Sequence, residues 1–165
     1  MEVINKSPLE NSPLLQEFRK KFTLPLRPAE EIPNIPSHLD ELSDANLMEA
    51  YTEFMSWLSY AKSELVASEI EEERCANECR LTEAKTLIKQ WGNEKGDTVT
   101  LAKARRDVDE LVIAAQEAHF YSRAYRKLVE SVFERCERGA QVLSRELSRR
   151  IGLGPKERQY GKYSV

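Results

Sequence analysis

At 165 residues the chain has room for one domain, and 41% apolar against 32% charged residues is globular but polar for that size. Six glycines are too few for a sheet protein full of tight turns, and no stretch approaches the ~20 apolar residues of a membrane span. A net charge of -3 with a pI near 5.6 argues against strong, bulk DNA binding.

The three cysteines, Cys75, Cys79 and Cys136, are an odd number and a poor disulfide framework, which fits a reducing compartment. Residues 1–30 hold no apolar run of the length an export signal needs. The expectation is a cytoplasmic protein with no membrane partner.

Six of the seven prolines (Pro8, Pro13, Pro25, Pro28, Pro33 and Pro36) fall in the first 36 residues. Each removes a backbone donor and turns its predecessor away from helix, so residues 1–42 read as an extended, Pro-rich N-terminal arm. One short amphipathic helix fits inside it. Ser12 can cap, Pro13 suits the first helical position, and Leu14, Leu15, Phe18 and Phe22 share one face that needs a cover. Those four residues are the candidate partner-docking surface.

From residue 43 to 152 the pattern is a helical hairpin. Ser43 is a good N-cap and no Pro or Gly interrupts before Gly92, which predicts helix A over about 44–91, about 72 Å long at 1.5 Å per residue. Leu47, Tyr51, Phe54, Leu58, Ala61 and Leu65 alternate steps of four and three as a coiled-coil seam does. Leu81, Ala84, Ile88 and Trp91 repeat the seam later, with small or polar residues between.

Gly92 to Asp97 is a turn by composition, because Gly and Asn tolerate the backbone that ends a helix. Thr98 or Thr100 then caps helix B, over about 101–151. Its apolar positions are Val108, Leu111, Ala115, Tyr125, Val129, Val132, Cys136, Leu143, Leu147 and Ile151. Two helices of nearly equal length joined by a turn over 92–99 are expected to lie antiparallel, and 153–165 to form a flexible basic tail.

Folding the chain about residue 95 sets the acidic start of helix A (Asp44, Glu49, Glu53) beside the basic end of helix B (Arg138, Arg145, Arg149). Residues 30–83 carry fourteen acidic and three basic residues, against nine and fourteen over 101–165. Each exposed pair contributes only a few tenths of a kcal/mol. A two-helix hairpin buries one stripe per helix, a thin core, so a homo-oligomer is expected.

The chain offers no nucleophile–base constellation and no Gly-rich phosphate loop, and so reads as a non-enzyme with no catalytic residue and no cofactor. Cys75 and Cys79 stand one turn apart and His119 folds over near them. That spacing is not a zinc knuckle and lacks a fourth ligand, so no metal site is expected. Glu71-Glu72-Glu73 reads as a solvated acidic face. Arg145, Arg149 and Arg150, then Lys156, Arg158 and Lys162 with Tyr160 and Tyr163, set positive charge and aromatic faces at the end of helix B. Arg123, Arg126 and Lys127 extend them. Phosphates attract the first kind of group and bases stack on the second, which makes these the candidate nucleic-acid-binding residues. The bland alternative is compensation of the helix dipole.

Three features resemble those of small helical bacteriophage proteins and, more loosely, phage recombination mediators of the UvsY type. They are Phe54-x-x-Trp57-Leu58, the Gly-bearing turn from Gly92 to Asp97, and Leu143-Ser-Arg-Glu-Leu-Ser-Arg-Arg150 around a Glu/Ala-rich helix. The resemblance spans about residues 47–150. It implies a homo-oligomer that binds single-stranded DNA and works with a recombinase or another protein, in the host cytoplasm if phage-encoded. Where such mediators carry a basic stretch after the first-helix Trp, this chain has Glu69-Ile-Glu-Glu-Glu73, which shifts the expected DNA contact to the end of helix B. A structural or assembly protein of a virion or other particle, docking neighbours through its arm, is the alternative.

Overall fold

The computed structural model describes residues 16–17, 20–29, 31–91 and 98–160, with backbone alone over 153–160. Among them every regular element is helical: α1 (Asp44–Gln90), α2 (Val99–Asp107) and α3 (Glu110–Tyr160), with a 3-10 turn at Leu39–Glu41. No helix is long and apolar enough to cross a membrane. Helices α1 and α3 pack closely.

Ser43 caps α1 as its type predicts, its hydroxyl accepting from the Asn46 N–H at 3.1 Å. Thr98 likewise accepts from Leu101 N–H at 3.3 Å to start α2. The single helix B expected over 101–151 is instead two. Asp109 begins a fresh helix by accepting the Leu111 N–H on its carboxylate at 3.0 Å, and the α2 end closes through Asp109 N–H on Arg106 O at 3.0 Å. Asx residues compete with the helix for its own donors, and here the competition ends one helix and starts another. At the far end, helix runs to Tyr160 through the stretch expected to be flexible tail.

The chain forms two compact units, 1–23 with 64–129 and 24–63 with 130–165. The second has an apolar core: Leu47, Phe54 and Trp57 of α1 against Cys136, Ala140 and Leu143 of α3, joined at the edge by Ile32, Leu39 and Leu42. The arm's later half thus covers this unit's own helices. Gly139 makes the contact close, since a Cβ built there would fall 2.6 Å from Phe54 Cδ1. Trp57, absent from the predicted seam, is 2% exposed, with Tyr60 edge-on at 5.8 Å and the Arg27 guanidinium over its ring at 5.6 Å.

The first unit is built differently. Leu65, Ala67, Ala102, Val112 and Val129 are buried, but so are Ser68, Cys75, Cys79, Thr86 and Ser122. The serines satisfy themselves within their own helices, Ser68 donating to Leu65 O at 2.7 Å and Ser122 to His119 O at 2.9 Å, so small polar side chains line the α1–α3 contact at little cost. The later seam expected at Leu81, Ala84, Ile88 and Trp91 is turned outward, with Leu81, Ile88 and Trp91 59, 76 and 54% exposed.

Register differs too. The fold-over near residue 95 sets Asp44 beside Leu147 and Gln90 beside Leu101. Asp44 instead meets Arg150 at 2.7 Å, and Gln90 meets Asp109 at 3.3 Å. Both observed partners stand at higher numbers than the fold-over gives, and helix B is broken between Asp107 and Glu110.

Candidate functional site

The arginines of the α3 end belong to the second unit. Arg150 donates to Leu42 O and Asp44 Oδ1, both at 2.7 Å, to Leu39 O at 2.6 Å, and to Glu146 Oε1 at 2.9 Å. It ties the 3-10 turn and the residue after it to the end of α3, and its side chain is only 17% exposed. Arg149 forks onto Glu146 at 2.7 and 2.6 Å. Hydrogen bonds from Arg149 and then Arg150 hold the Glu146 carboxyl well below its ordinary range, down to about 2. Arg145, one turn earlier, is exposed. Lys156 and Arg158 lie where only the helical backbone is described, and Lys162 lies outside the described residues.

The expected salt bridging of Arg138 and Arg149 to the start of α1 is replaced by pairs within α3, Arg138 with Glu134 at 2.9 Å and Arg149 with Glu146. Spacings of three and four put Glu146 under both Arg149 and Arg150, a signal present in the sequence. Reading the arginines as a free basic cluster missed it.

In the first unit Arg126 pairs with Glu72 and is turned to the α1 side, whereas Arg123 and Lys127, on successive turns, are exposed. The acidic run is not simply a solvated face. Arg74 forks onto Glu71 at 2.7 and 3.1 Å and reaches Glu78 at 2.8 Å, Glu72 takes Arg126, and Glu73 alone of the three is exposed. Tyr125 donates to the buried Glu64 carboxylate at 2.8 Å, and Gln116 to Glu83 at 2.8 Å.

Cys75 and Cys79 are buried and lean on carboxylates of their own helix, Glu71 at 3.8 Å and Glu83 at 3.7 Å. Burial pushes both thiols up, with the Glu83 carboxylate adding to the effect at Cys79, and burial does the same to Cys136. These are packed thiols of low nucleophilicity. Among the described residues no group of three or more His, Cys, Asp or Glu is placed to hold a metal ion.

Two grooves of about 530 Å³ each run between α1 and α3 in this unit, one lined by Arg74, Cys75, Thr86 and Ala115, the next by Ser68, Ala118, Ser122 and Tyr125. Of their charged lining, Arg74 is paired with Glu71 and Glu78.

Of the predicted docking set, Leu14, Leu15 and Phe18 lie outside the described residues, and Phe22 is 60% exposed. Further large apolar side chains stand out of the first unit on α3, Leu111 at 70%, Phe120 at 74% and Leu128 at 68% exposure. Comparisons with protein-family models, with curated proteins and with solved structures find no match for this chain.

Proposed function

We propose that this chain is a non-enzymatic assembly protein, in which α1 and α3 form one antiparallel coiled-coil hairpin whose copies self-associate and whose work is contact with neighbouring proteins in a particle or complex. One observation carries this reading. The first unit places Ser68, Cys75, Cys79 and Thr86 between its helices and turns Leu81, Ile88, Trp91, Phe120 and Leu128 outward. Apolar surface gains roughly 25 cal/mol per Å² on leaving water, so an arrangement that exposes its largest side chains favours association. Light scattering on the purified chain at micromolar concentration should return a multiple of the 19.0 kDa chain mass. A single-chain mass throughout would end the reading.

The second reading is an accessory factor of phage-type recombination that contacts single-stranded DNA and a recombinase. It is favoured by the exposure of Arg123 and Lys127 in the first unit and of Arg145 in the second. Phosphate contact releases counterions, so anisotropy of a labelled oligonucleotide should fall steeply as salt rises. Binding absent at low salt, or indifferent to salt, removes it.

A further inference from the structure

The outer row of α1 in the first unit, Leu81, Ala84, Ile88 and Trp91, has no charged member. It keeps helical geometry to its last residue, because Trp91 N–H still bonds Leu87 O at 3.0 Å beyond the end of α1. Its steps are three, four, three, a pattern that reads the same in both directions. Two such rows laid antiparallel therefore stay in register along their whole length. Leu81 then faces Trp91 of the other row and Ala84 faces Ile88, so at the two central crossings a small side chain receives a large one and the pattern is complementary to itself.

The outward apolar residues of α3 lack this quality. Ile113, Phe120 and Leu128 are interleaved with Glu117, Arg123 and Lys127, which would have to lose water in any dry seam. Residues 64–129 carry thirteen acidic and eleven basic residues, so a copy meets little bulk repulsion there and a polyanion little bulk attraction.

We infer that this row is the self-association surface: a second copy of this chain seats its own Leu81–Trp91 row on it, antiparallel, about a two-fold axis between Ala84 and Ile88. The inference rests on the self-association proposed above and names its surface. It gives a closed dimer, since an isologous contact uses the same patch on both copies and leaves none open.

Full-length wild type, Ile88→Glu and Phe120→Glu, together with a chain lacking residues 1–23, are compared by light scattering, with circular dichroism as the check on folding. Ile88 is 76% exposed, so a carboxylate there leaves helicity unchanged. The expected result is a wild-type mass of two chains, a halved mass for Ile88→Glu, and two chains for both Phe120→Glu and the truncated form. Were Ile88→Glu to lose helicity, Trp91→Arg, beyond the last residue of α1, takes its place with the same readings. A wild-type mass retained by the row variant overturns this surface and leaves self-association standing. Loss of the dimer in Phe120→Glu alone assigns it to α3, and loss on truncation alone assigns it to the arm. A wild type at one chain mass fails the broader reading itself.

Discussion

Gly139 and Glu146 act on α3 by opposite means, one by lacking atoms and the other by holding charge. Phe54 is 1% exposed and its ring occupies the space a side chain on Gly139 would fill. Alanine is the better helix former by about 1 kcal/mol, yet a Cβ here must displace an aromatic ring that packs on all sides. Gly139→Ala should therefore lower stability by about 1–3 kcal/mol in urea unfolding, the usual range for overpacking. Gly152, also in α3, has nothing within 4 Å of the same atom, and Gly152→Ala should stabilise by about 0.5–1 kcal/mol. Equal effects at the two glycines would refute the account of Phe54.

Glu146 is a carboxylate whose pKa is depressed in the fold, from an ordinary 4.5 to about 2. Its contribution is therefore fully present above about pH 4.5 and is lost as pH falls toward 2. Glu146→Gln should melt below wild type at neutral pH, and the gap should close across that acid window. A gap independent of pH would show that the two arginines act through packing alone.

At the scale of elements, the arm is two things. Residues from 24 onward belong to the second unit, where Arg135 binds Asn34 at 2.6 Å, Arg150 holds the 3-10 turn, and Ile32, Leu39 and Leu42 close the core edge. Deleting residues 1–42 should cost about 3 kcal/mol from three half-buried aliphatic side chains at roughly 1 kcal/mol each, whereas deleting 1–23 spares that unit's core. Thermal melts of the two truncations, read by circular dichroism, test the division. The prolines predicted a stretch without helix, and residues 23–29 and 31–38 carry none. The cover that the arm provides was not legible, because Ile32 and Leu39 carry no periodicity and only the folded chain reveals what they touch.

For the molecule as a whole, the two units should differ in stability. Phe54, Trp57, Leu47 and Leu143 form one contiguous cluster in the second, while the first joins Ala67 to Tyr125 and relies on small side chains. Thiol labelling in rising urea should modify Cys75 and Cys79 at lower denaturant than Cys136, all three being buried in the fold. Simultaneous labelling of all three would mean one cooperative block.

Helix content, the Ser43 start of α1 and the early seam through Leu47, Phe54, Ala61 and Leu65 followed from the chain alone. These depend on local propensity, capping chemistry and a 3.6-residue period, all of which act between neighbours in sequence. Which way the Leu81–Trp91 row points, where α2 ends and α3 begins, and that Arg150 reaches Leu39, Leu42 and Asp44 were settled only by the tertiary structure. A helix with apolar residues on one side and small ones on the other can pack by either face. The choice lies with the partner helix, which Asp109 starts anew. Local rules make the elements, and contacts between residues far apart in the chain decide which faces are left to meet another molecule.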